Sequence, residues 1–298
     1  MTVGLAGLGL ICPGLENGKR NWLPDASTSP QKRKWELFSL QYGCFWILCF
    51  GIIIGGELFV WFDDVHYMVV CVGLASPLLL QPFLFPSITN DSDVVWYERY
   101  SVKANTWIAI FSFIGNYWYT HYFYTVLQSY YTMPSWDLNG VPIPLYFATH
   151  FYFSFYHVLA NLALRKTFST LAPGTMRNVF VVALVIEISY ITAFMESLTI
   201  SGFPCYGFSD RFLAYTLGSA FYGLYFVVSF PMFLRVDENG TRMSLFTVVV
   251  EALASGMAVL ILLDAVRVAL GQDLVLKLDR PCKSDPALTC EPFTYKTC

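Results

Sequence analysis

One carboxyl and two imidazoles stand on regular stripes of small polar residues inside otherwise apolar stretches. Ser189, Thr192, Glu196 and Thr199 follow one another at steps of three, four and three, so a helix puts them on one face. His150, Ser154, His157 and Asn161 repeat at four, three and four. A third stripe, Asn105, Ser112, Asn116 and Thr120, has His121 beside it and Trp118, Tyr119 and Tyr122 as aromatic neighbours. A fourth holds Tyr215, Ser219, Tyr222 and Ser229. The chemistry on offer is acid–base and aromatic. Glu187, nine positions before Glu196, falls on the other side of that helix and does not serve the same site.

Other chemistries fail on count or motif. A membrane di-iron site needs about eight histidines in short-spaced boxes. This chain has 4, and no two are closer than seven residues. No metal site is expected. Residues 245–270 hold no lysine for a retinal Schiff base, and receptor-type signatures are missing. There is no glycine-rich phosphate loop and no nucleophile-elbow serine.

The elements that must position these groups are membrane helices. The chain has 298 residues, 56% hydrophobic, 18% aromatic and 13% charged. An average soluble domain is about 25% charged, so this chain cannot cover a soluble surface. Its net charge of −3 provides no field for nucleic acid. Apolar runs predict about seven spans, near 37–60, 66–85, 103–127, 143–164, 178–200, 213–233 and 245–270. The second is interrupted by Pro77 and Pro82, which membrane helices tolerate when neighbours satisfy the freed carbonyls. The expected fold is an all-α, polytopic helical membrane protein: a tail over 1–36, a membrane domain over 37–271 and a second tail over 272–298. Lys and Arg alternate between connections in a way that puts the N-terminus in the cytoplasm.

A polar side chain at membrane depth is functional by default, although Ser, Thr and Asn often only bridge helices. Counting along straight antiparallel helices puts Glu196, His121 and His150 in one layer, roughly 6–10 Å below the luminal face. Asp264 and Arg267 read as an interfacial ion pair. Glu98, Arg99 and Lys103 read as interface charges, Glu251 as solvated, and Asp210 and Arg211 as the mouth of a pocket. Cys12, Cys44, Cys49, Cys71 and Cys205 have no metal spacing. In an oxidising lumen two of Cys282, Cys290 and Cys298 would pair; three free thiols are the alternative.

Several strings resemble the cycloeucalenol cycloisomerase family of plants and algae. They are Val102-Lys103-Ala104-Asn105-Thr106-Trp107, then Gly115-Asn116-Tyr117-Trp118-Tyr119-Thr120-His121-Tyr122-Phe123, and Pro134-Ser135-Trp136. Phe155-Tyr156-His157-Val158 with Asn161, and Ser229-Phe230-Pro231-Met232-Phe233, belong to the same set. The resemblance runs in register over about 32–271. It departs at Glu187, where the family has a small apolar residue. A shorter echo, Met195-Glu196-Ser197-Leu198-Thr199, is similar to the Glu-x-x-Thr segment of emopamil-binding sterol Δ8–Δ7 isomerases.

The resemblance implies opening of the 9β,19-cyclopropane of cycloeucalenol to the Δ8 sterol obtusifoliol, in the endoplasmic reticulum membrane. The reaction is an internal isomerisation, so no redox cofactor is expected. The expected partners are the sterol and membrane lipid. A carboxyl kept from water suits protonation of such a ring. Glu196 is the expected donor, with His121, His150 and His157 as relay, orienting group or base. Asn116, Trp118, Tyr119, Tyr122, Asn161, Thr192, Thr199 and Tyr222 are the expected substrate contacts. A non-catalytic sterol carrier and a double-bond-shifting sterol isomerase are the alternatives.

Overall fold

In the computed structural model, Gly14 and residues 20–200 and 203–274 are described. The described chain is mostly helix: α1 Pro30–Gly55, α2 Asp64–Leu84, α3 Tyr100–Ile114, α4 Thr120–Val126, α5 Ile143–Thr170, α6 Thr175–Ile200, α7 Arg211–Leu213, α8 Ser219–Leu234 and α9 Leu245–Ala269. One π turn, Gly115–Tyr119, joins α3 to α4, and another, Ala214–Gly218, joins α7 to α8. Such turns carry an extra residue and often mark functional sites.

Local sequence sets the helix ends. Pro30 opens α1, where its missing N–H costs nothing. Asp63 caps α2 by accepting from the His66 amide, and Ser244 caps α9 by accepting from Thr247. Pro77 and Pro82 stay inside α2. The expected 1–36 tail is corrected here: Lys32, Trp35 and Glu36 are buried in α1. The tail cysteines Cys282, Cys290 and Cys298, and Cys12, lie outside the described residues. Cys205 is disulfide-bonded.

Among the described residues, five segments are long and apolar enough to cross a membrane: Pro30–Gly55, Asp64–Leu84, Thr175–Thr199, Arg211–Leu234 and Leu245–Ala269. This is the make-up of a multi-pass membrane protein. Their outer faces expose large apolar side chains, such as Ile52, Val69, Val182 and Ile261. The other two expected spans correspond to α3–α4 and α5, whose lower apolarity follows from the buried polar groups they carry: Asn105, Asn116, His121, His150, His157 and Asn161. α5 is the hub of the bundle and packs on α1, α2, α3, α6 and α8. Small residues allow close approach. The Phe155 ring of α5 sits over Gly43 of α1, and Gly223 of α8 lies against the Ser189 backbone of α6.

The two ends of the bundle differ. At one end short antiparallel ribbons close the connections. β1 (Ser129–Tyr131) pairs with β4 (Tyr206–Phe208), Tyr130 opposite Gly207, and β2 (Asp137–Leu138) pairs with β3 (Val141–Pro142). At the other end charges are buried. Lys32 donates to the Leu234 and Val236 carbonyls at 2.7 Å and pairs with Glu238 at 2.6 Å. Arg165 bridges Glu36 and Glu238 in bidentate fashion, at 2.7–2.9 Å. Lys103 pairs with Asp237 at 2.7 Å. Three cations thus meet three carboxylates. This corrects the expectation for Lys103, which is buried and paired rather than an interface charge. Burial alone would push the Glu238 carboxyl up, but the Arg165 hydrogen bonds and the Lys32 charge hold it below its ordinary value.

Candidate active site

Glu196 sits on the last turns of α6, where its polar face meets α5 and α8. Tyr222 of α8 donates its hydroxyl to Glu196 Oε2 at 2.9 Å. Tyr156 of α5 also hydrogen-bonds the carboxyl. Two neighbouring helices therefore each present a phenol to one acid. No cation and no histidine hydrogen-bonds Glu196 among the described residues. The pocket around it is walled by Phe123, Leu127, Tyr206, Phe208, Ala214 and Gly218. Ala214 and Gly218 are the two ends of the second π turn, and Gly218 has no Cβ to press on Leu127. Tyr206 stacks on Tyr131 across the β1–β4 ribbon, with ring centres 4.5 Å apart. Tyr131 and Tyr206 both lie within electrostatic reach of Glu196.

A carboxyl ringed by phenols and hydrocarbon, with no cation bonded to it among the described residues, can keep a proton and deliver it. Once it has done so, the two hydroxyls hydrogen-bond the carboxylate left behind.

The histidines are placed elsewhere. His157 is fully buried. One ring nitrogen, Nδ1, lies 2.7 Å from the Phe153 carbonyl, and Nε2 lies 2.8 Å from Ser229 Oγ. A carbonyl only accepts, so Nδ1 carries the proton and Nε2 accepts from Ser229. Rings of Trp107, Phe111, Phe226, Phe230 and Phe233 enclose it. His150 meets Asn105 Oδ1 at 2.9 Å. That bond ties α5 to the first turns of α3. His121 is fully buried beside Tyr124, with neither ring nitrogen in a hydrogen bond of normal geometry.

The expected contact residues divide. Tyr222 touches Glu196, and Thr192 lines a cleft one turn away. Thr199 turns its hydroxyl back onto the Glu196 carbonyl at 2.9 Å. Asn116 bonds the Ser112 carbonyl and Thr149 Oγ1. Tyr119 donates to the Gly256 carbonyl at 2.8 Å. Tyr122 donates to Asp264, itself paired with Arg267 at 2.8 Å as anticipated. Trp118 is largely exposed. Asn161 donates to Glu36 at 2.9 Å and belongs to the charge network at the far end. Asp210 caps α7 through the Leu213 amide. Glu251 is paired with Arg235 at 3.2 Å rather than simply solvated. Glu187 is buried with Oε2 unpaired.

Sequence reasoning passed over Tyr156, Tyr206 and Tyr131. With 19 tyrosines and 26 phenylalanines, an aromatic residue carried little information. Tyr156 adjoins His157, inside one of the resembling strings, and that was the available signal.

No family model and no solved structure matches the chain. A curated protein does: cycloeucalenol cycloisomerase of Arabidopsis thaliana is 41% identical over 265 residues, covering 88% of this chain and 93% of that protein. With that identity over nearly the whole of both sequences, this chain belongs to the cycloeucalenol cycloisomerase family.

Proposed function

We propose that this chain is an intramolecular isomerase that opens the 9β,19-cyclopropane of a sterol such as cycloeucalenol, with Glu196 as proton donor. The observation that carries the assignment of Glu196 is its setting: a partly buried acid held by Tyr156 and Tyr222 in an aromatic pocket, on a helix apolar enough to span a membrane. Family membership carries the reaction.

The proton passes from the Glu196 carboxyl to the bridging methylene carbon as one ring C–C bond gives up its electron pair. That leaves a methyl group and a cation on the adjacent ring carbon. A neighbouring C–H bond then supplies the electrons of the new double bond, and its proton goes to the carboxylate. Glu196 is thereby restored, and atoms and electrons balance with no external acceptor. Aromatic walls exclude water that would capture the cation. Ring faces of Phe123, Tyr206 and Tyr222 steady it. The histidines hold the frame, with His150 tying α5 to α3 and His157 tying α5 to α8.

The enzyme works in the endoplasmic reticulum membrane, with seven crossings. The charge network lies at the cytoplasmic end and the ribbons at the luminal end. Residues 30–271 form the isomerase domain, and its partners are the sterol and surrounding lipid.

Membranes carrying wild type or Glu196→Gln, supplied with the cyclopropyl sterol, test the assignment. Loss of the acid lowers turnover about 10²–10⁴-fold while sterol binding persists. Unchanged turnover in the Gln variant removes Glu196 from the chemistry.

A further inference from the structure

A second cavity begins where the Glu196 site ends. It is a cleft of about 180 Å³ between α5 and α6, with Phe230 of α8 at its back. Tyr156 belongs to both, since its hydroxyl bonds Glu196 while its ring forms the near wall of the cleft. From there the α6 wall is Thr192, one turn before Glu196, and then Ile188, two turns before it. The cleft therefore runs about 12 Å along α6 from the carboxyl. At its mouth stand Leu159 and Ile191, 43% and 45% exposed on the outer face of the bundle. On the inner wall of α5 the side chain is Ala160, small and only 4% exposed.

This geometry orients the substrate. Glu196 is four residues from the end of α6, so only a short part of a ligand reacting there extends towards the ribbons. The longer part lies in the cleft, where Tyr156 and Thr192 are the polar members of an otherwise hydrocarbon wall. A sterol has one polar end, its hydroxyl, and one long aliphatic end.

We propose that the α5–α6 cleft receives the aliphatic side chain of the sterol, admitted sideways from lipid between Leu159 and Ile191, and that Ala160 sets the bulk it accepts. The proposal rests on the reading of Glu196 as the reacting group.

Two substrates with the same cyclopropyl ring system, one with the intact side chain and one with it truncated, test the proposal by KM and kcat. Ala160→Phe fills the cleft and raises KM for the intact sterol about tenfold or more, and for the truncated one far less. Ile188→Phe, from the opposite wall, does the same and serves if the Ala160 variant fails to fold. Equal KM changes for both substrates in a folded variant, or no change for either, overturn the proposal. Glu196→Gln, assayed for binding of the same pair, separates the two readings. Normal turnover in that variant sinks the donor assignment, whereas loss of side-chain discrimination in the wall variants alone bears on the cleft.

Discussion

The two ends of the bundle bury carboxylates in opposite ways. At one end Glu36, Asp237 and Glu238 are each matched by a cation, so that Lys32, Lys103 and Arg165 leave no net charge. At the other end Glu196 is met by Tyr156 and Tyr222 and, among the described residues, by no cation. A carboxylate bonded to a cation is held by charge, whereas neutral phenols hold an acid by hydrogen bonds alone. Burial is common to both, and on the proposal that Glu196 is the proton donor the partner set separates architecture from chemistry.

Breaking each end separates the two roles. The largest effect is at Glu196, where the Gln substitution described above removes turnover without unfolding the protein. Next is Arg165→Ala, which leaves Glu36 and Glu238 buried beside too little positive charge. It costs about 3–5 kcal/mol of stability, read as a lower unfolding temperature in detergent, and leaves KM of the surviving folded fraction unchanged. Unaltered stability would show that water reaches the network and that it is not the frame. Tyr222→Phe sharpens the other side. It removes one hydrogen bond to the proposed donor and, if Glu196 turns anionic in the reaction, lowers kcat by about one to two powers of ten, from roughly 1.5–3 kcal/mol for a bond to a charged group. Stability changes little.

The smallest effect is in pH. Glu238 sits below its ordinary value, so its contribution to stability is complete above the unfolded carboxyl range and is lost as pH falls through the lower, folded value. Acid unfolding therefore loses part of its steepness in Glu238→Gln, measured by thermal melts across pH 3 to 6. The Glu36, Asp237 and cation partners stay in place. An identical pH profile would break the assignment of Glu238 as a depressed carboxylate.

The spans were legible because hydropathy is a one-dimensional property, and α1, α2, α6, α8 and α9 declare themselves by runs of apolar residues. The Glu196 face was legible too, since Thr192 and Glu196 need only a helix to align. What the sequence could not carry was adjacency. Tyr156 lies forty residues before Glu196 and Tyr222 twenty-six after it, and only packing of α5 and α8 on α6 brings them to one carboxyl. The same limit misassigned Asn161, whose stripe with the two histidines looked like a site. Its amide in fact serves Glu36 on another helix. The bond from His150 to Asn105 likewise depends on how α3 packs against α5, which residue counting does not reach.

The long sequence separations within the charge network bear on how the protein is made. Glu36 waits for Arg165, 129 residues downstream, and Lys103 waits for Asp237, 134 residues later. During synthesis the first helices are therefore made before the partners of their charges, and the network closes only once the loop after α8 has been added. Truncation anywhere before Glu238 should leave a product that quality control degrades.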